Sequence, residues 1–155
     1  MDFEFYQGDN VIPYFPITDE PNGTGNPVDV SGATAATWVA VPAGHTTPII
    51  TKHLADMSIG QDPNGSSVEN CIFVPLAPED TGTMAAVGTL THELRITLDG
   101  MQSVVYPPVG TTATFTVVES WTWDTGVTPP APRIIEEEPV SKLKRIPKLP
   151  AKKVG

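Results

Sequence analysis

Three histidines and one cysteine are the side chains best suited to chemistry near neutral pH: His45, His53, His92 and Cys71. A zinc site needs three or four such ligands converging on one point. None of these histidines lies within four residues of another histidine or of the cysteine, so no metal site is expected. His92 falls on the apolar side of an alternating run and reads as a core or semi-buried histidine with one hydrogen-bond partner. The alternative chemistry for it is a pH sensor. A reactive thiol needs a nearby base and an electropositive setting. The chain around Cys71 is acidic, so Cys71 reads as a structural thiol. Gly-x-Ser-x-Gly, P-loop and Gly-x-Gly-x-x-Gly patterns are absent. Asp80 and Asp99 are expected in turns, and Glu79-Asp80 lacks the ligand loop of a calcium site. Asn22-Gly23-Thr24 and Asn64-Gly65-Ser66 match a glycosylation sequon but read as Asn-Gly turns. Catalytic residues, a cofactor and a metal are therefore all expected to be absent. Trp121 and Trp123 share a face with Phe115 and Val117 and are expected to close the core. The alternative is a sugar-stacking platform of Trp121, Trp123 and Tyr106.

The elements that carry these residues read as short strands. Seventeen prolines and 13 glycines in 155 residues exclude long helices through most of the chain. Residues 3–18 are rich in aromatic and β-branched side chains. Pro13 and Pro16 each remove a ladder donor, so this segment belongs on a sheet edge or is broken in two. Strands are also expected over 33–41, 49–54 and 68–76, with a helical turn at Pro78–Gly82. The clearest pattern is Leu90 to Leu98, where Leu90, His92, Leu94, Ile96 and Leu98 alternate with polar residues. That is period two, a half-buried antiparallel strand. Asp99-Gly100 then predicts a tight hairpin into 101–106, and 111–123 predicts a last strand. About seven short strands with turns between them imply an all-β sandwich over residues 1–124.

Charge divides the chain differently. Residues 1–132 hold 15 acids against two bases, Lys52 and Arg95, a net of −13; residues 133–155 hold seven bases against three acids, a net of +4. An acidic body repels phosphate, so nucleic acid is not an expected partner. Residues 125–155 carry six prolines and no aromatic residue. They read as an extended Pro-rich basic C-terminal arm without strand alternation, disordered alone and ordered on a partner. In polyproline form the arm spans on the order of 90 Å. Val140–Ile146 can add one or two helical turns against that partner. The residues expected to make the partner contact are Arg133, Lys142, Lys144, Arg145, Lys148, Lys152 and Lys153. A protein surface, and an acidic one, is the expected target. No signal segment or membrane span is read from the sequence, and one cysteine allows no internal disulfide. Folding in the cytoplasm of the producing cell is expected.

The order of the turn signals adds a resemblance. Gln7-Gly8-Asp9 opens the first strand, and Asn26-Pro27-Val28-Asp29-Val30-Ser31-Gly32-Ala33 precedes the second. Ala77-Pro78-Glu79-Asp80-Thr81, His92-Glu93-Leu94-Arg95-Ile96 with Asp99-Gly100, and Thr114-Phe115-Thr116-Val117 follow. Over about residues 6–118 this set resembles small immunoglobulin-like domains of tailed-bacteriophage virions. Examples of such domains are the N-terminal domain of upper-baseplate proteins and related short neck, tail or head-attached proteins. Residues 82–89 depart from that family's Leu-x-x-Gly-x-Tyr pattern. The resemblance implies an antiparallel immunoglobulin-like β-sandwich and a non-enzymatic structural role in the virion, assembled in the host bacterial cytoplasm. The implied partners are other virion proteins (portal or neck, tail or capsid), met in several copies on a symmetric ring. A head decoration protein is the alternative within that class, and a carbohydrate-binding module is the alternative outside it.

Overall fold

The computed structural model describes residues 3–20, 25–83, 86–108, 110–121 and 133–136. Ten strands lie among them: β1 (Phe3–Tyr6), β2 (Val11–Pro16), β3 (Ala35–Pro42), β4 (Ile50–His53), β5 (Ser58–Gly60), β6 (Cys71–Phe73), β7 (Gly88–Leu98), β8 (Met101–Tyr106), β9 (Ala113–Val118) and β10 (Arg133–Glu136). A helical turn, α1 (Pro78–Thr81), starts at a proline, where the missing N–H costs nothing.

The strands form two sheets. The larger runs β1-β9-β7-β3-β4, with β8 also on β7; the smaller runs β10-β2-β6-β5. β7 is long enough to serve two partners along one side. Its first half pairs with β9 and its second half with β8. The hairpin turns on Asp99 (φ 54°) and Gly100 (φ 78°), both in the left-handed region that a tight two-residue turn requires.

One apolar core is shared by the two sheets. Trp38, Leu90, Leu94, Ile96, Phe115 and Val117 come from the larger sheet, and Val11, Phe15 and Ile72 from the smaller. The period-two reading of β7 holds, with Leu90, His92, Leu94 and Ile96 all buried. The all-β reading holds at that level.

Four expectations require correction. First, there are more strands than about seven. Residues 3–18 are broken in two, as one of the two readings had it: Gln7-Gly8 turns the chain out of the larger sheet and into the smaller. Gly8 (φ 82°) makes that turn possible. β5 has only three residues, too few to show a period. Second, the sheets are not purely antiparallel. β1 runs parallel to β9, and β10 runs parallel to β2. In both cases long stretches of chain separate the partners, as parallel neighbours demand. Third, the segment read as free of strands contains one, β10, bound to the body. Its pairing is non-local and leaves no alternation to read. Fourth, Trp121 is not in the core: the strand ends at Val118, and Trp121 is 91% exposed. Trp123 lies outside the described residues.

The loop that precedes β3 is organised by Asp29. Its carboxylate accepts the Ser31 hydroxyl at 2.7 Å and the Ser31 N–H at 2.9 Å. The hydroxyl first, and then the backbone N–H, hold this carboxyl below its ordinary value of 3.8. A lowered native value means that the stabilisation is present above the unfolded value and is lost as pH falls through the native one. The Asp29 carboxyl, followed by NMR, is expected to titrate below 3.8, and Ser31→Ala to move the midpoint back up.

Candidate functional site

His92 is the best chemical candidate in the sequence, and its surroundings turn it into a packing residue. β7 places it on the core face at 1% exposure. The rings of Phe3, Phe15, Trp38, Tyr106 and Phe115 surround it at centroid distances of 5.4–6.0 Å. The Trp38 Nε1–H donates to His92 Nδ1 at 3.2 Å. Nδ1 is thus the acceptor of this bond. The reading of a core histidine with a hydrogen-bond partner holds. Cys71 is fully buried in β6, on the face opposite Ile72. His45 and His53 are exposed, and no group of three or more His, Cys, Asp or Glu among the described residues is placed to hold a metal ion.

Asp80 does more than shape a turn. Its Oδ2 accepts the Ala77 N–H at 2.7 Å and pairs with Lys52 Nζ at 2.8 Å, which ties α1 to β4. The next residue, Thr81, is fully buried, and its Oγ1 accepts the Gly8 N–H at 3.2 Å. Gln7 completes this junction. Its Nε2 donates to the Gly82 carbonyl at 2.7 Å, and its Oε1 accepts the Ser120 N–H at 3.2 Å. Gln7 is 6% exposed, so both its groups depend on these partners. Three segments distant in sequence meet there. Gln7→Ala is expected to destabilise the fold by about 1–3 kcal/mol, since it strands two partly buried backbone groups. Urea denaturation measures the loss.

Two surface features remain. One is an open groove of about 470 Å³ lined by Tyr6, Val118, Glu119, Ser120 and Trp121. Tyr6 is 58% exposed and Trp121 91%, so two aromatic faces meet solvent there. Tyr106 does not contribute, because its ring packs against Phe15 and His92. The other feature is the seat of β10. Register sets Arg133 beside Val11, Ile134 beside Ile12, Ile135 beside Pro13 and Glu136 beside Tyr14. Arg133 is thereby placed at the start of β2. Lys142, Lys144, Arg145, Lys148, Lys152 and Lys153 lie outside the described residues, as does the helical stretch expected at 140–146.

Neither a protein-family model nor a curated protein matches this chain in sequence. No helix among the described residues is long and apolar enough to cross a membrane. The surface features left as candidates are the β2 edge with its bound strand and the aromatic groove beside β1.

Proposed function

We propose that the chain is a non-enzymatic structural protein of a tailed-phage virion, with an immunoglobulin-like sandwich as its body and residues 125–155 as an arm that straps neighbouring subunits. It docks at the neck, tail or baseplate. The observation that carries this reading is β10. A short strand fixes the C-terminal segment to an acidic body, and a tail with six bases follows it. Segments that order on a partner lose entropy but cover a large surface. The resemblance of the turn motifs to those of phage immunoglobulin-like domains supports the same class. Two of them, Gln7-Gly8-Asp9 and Ala77–Thr81, meet through the Gly8 to Thr81 hydrogen bond. The test is genetic and biochemical. The gene is removed from its phage, and full-length or 125–155-deleted chain is supplied in trans. Full-length chain is expected in purified particles and the truncated chain is not. Particles that assemble and infect normally without either chain sink the reading. Labelling the chain and imaging particles separates the neck, tail or baseplate from the capsid exterior.

The exposed pair Tyr6 and Trp121, with Glu119 as a hydrogen-bond acceptor beside them, favours a second reading as a carbohydrate-binding module. Aromatic faces stack on the apolar faces of sugars, and a carboxylate orients their hydroxyls. Tryptophan fluorescence titrated with host glycans is expected to shift, and Trp121→Ala to abolish the shift. A flat titration with every glycan removes this reading.

A further inference from the structure

A sheet edge presents backbone donors and acceptors that another strand can take, and natural folds blunt such edges with charge, proline or short length. Among the described residues five strands lie at an edge: β1, β4 and β8 of the larger sheet, and β5 and β10 of the smaller. β1 carries Glu4, β4 carries Lys52, β10 carries Arg133 and Glu136, and β5 has only three residues. β8 has six residues, Met101-Gln102-Ser103-Val104-Val105-Tyr106, with neither a charge nor a proline. Its first four residues are exposed, Met101 at 73%. The hairpin fixes which of its backbone groups face outward. Leu98 and Met101 flank the two-residue turn and bond to each other, so Met101 and Ser103 turn their backbone groups to β7. Gln102 and Val104 then point theirs away from it.

We infer that β8 is a docking edge whose occupant is β8 of a second copy of this chain, antiparallel about a two-fold axis. The outward groups set the register. Val105 is the extra residue where the pairing of β7 and β8 shifts, so the regular outer ladder holds Gln102 and Val104. The register that uses the N–H and C=O of both sets Gln102 opposite Val104 of the second copy, and Ser103 opposite Ser103. A second copy brings the same two residues, in the antiparallel order that this ladder needs. Like charges directly opposed across a strand pair are destabilising, and at β8 two copies of an acidic body bring no charge into opposition. The facing Ser103 hydroxyls can each donate or accept, so the centre of the pair is self-complementary. A two-fold contact uses the edge of both molecules at once and therefore closes at two copies. The Asp99-Gly100 turn at one end and Pro107 at the other bound its length.

This pairing needs neither the C-terminal arm nor a virion, so its failure leaves the reading above untouched. Full-length chains with Ser103→Cys or, separately, Gln102→Cys are oxidised at about 1 mM, a concentration that populates even a weak pair. Both positions are exposed, and the buried Cys71 is shielded from the oxidant. Opposite residues at a non-hydrogen-bonded position lie about 4.5 Å apart at Cα, within disulfide reach. Two Gln102 positions sit two residues out of register, beyond the roughly 7 Å that a disulfide bridges. The expected result is a disulfide-linked dimer from the Ser103→Cys chain and little from the Gln102→Cys chain. In the parent, the amides of Gln102 and Val104 are expected to gain hydrogen-exchange protection as concentration rises. Ser103→Lys opposes two like charges across the axis and is expected to remove that gain. Equal cross-linking at both positions means chance collision, and the proposal falls. Absence of any dimer at about 1 mM also overturns it. Protection of the two amides that is the same at every concentration and survives Ser103→Lys means that the chain's own backbone covers the edge, and this too overturns the proposal.

Discussion

Replacing Trp38 by alanine is expected to remove about 3–5 kcal/mol of stability, the cost of emptying a large aromatic site in a packed core. Trp38 is fully buried, and its indole contacts the rings of His92 and Phe115. Domains of this size hold only about 5–15 kcal/mol in total, so the variant will sit at or below the folding threshold. Part of that loss is polar. The indole N–H supplies the donor to His92 Nδ1, and removing it leaves an acceptor buried without that donor. Trp38→Phe separates the two contributions, because it keeps an aromatic ring and removes the donor. About 1–3 kcal/mol is expected for that change, and adding His92→Leu should restore part of it, since a polar pair replaced on both sides is close to neutral. Urea denaturation of the two single variants and the double variant closes the cycle. A Trp38→Phe variant as stable as the parent would show that the hydrogen bond contributes nothing net.

Under the proposed strap role, deleting residues 125–155 abolishes incorporation into particles; from the fold alone it is also expected to weaken the body. The second effect follows from the fold. Without β10 the β2 backbone faces solvent on one side, and an open edge invites pairing between molecules. The loss of four paired residues and the half-buried Ile134 is expected to cost about 1–3 kcal/mol. A chain ending at Glu136 separates the two roles. It keeps β10 and so should match the parent in denaturation and in light scattering. It lacks Lys142 to Lys153 and should still fail to enter particles. Normal incorporation of the shorter chain would move the docking function from the basic tail to β10. Equal stability of all three chains would mean that β10 adds nothing to the body.

Much of the larger sheet was legible in the order of residues. β7 declares itself because one face is buried and the other is wet, so Leu90, His92, Leu94 and Ile96 alternate with Thr91, Glu93, Arg95 and Thr97. The turn after it is legible because Asp99 and Gly100 tolerate a positive φ. His92 could be placed in the core from the same alternation, although its partner Trp38 could not. Pro13 and Pro16 did not mark the break in the first strand region: both lie inside β2, and the chain turns earlier, at Gln7-Gly8. The smaller sheet was harder to read. β2 is buried on both faces over part of its length, with Tyr14 and Phe15 both below 2% exposure, so alternation fails there. Trp121 shows the opposite error. A period of two can be continued on paper past Val118, where the strand itself has ended.

The seat of the C-terminal segment was only half legible. The basic residues, the prolines and the acidic body are matters of composition and could be counted. That four residues of the C-terminal segment form a strand, that it runs parallel to β2, and that it lies against its own body could not be read. Strand pairing between distant segments depends on which edge remains open after everything else has folded. Local periodicity carries no record of that. What the sequence by itself determined is an all-β body of acidic charge, followed by a segment of opposite charge. Only the tertiary structure decided that the segment is tied to the body at β10, because an unpaired backbone edge exists only once the sheets have formed.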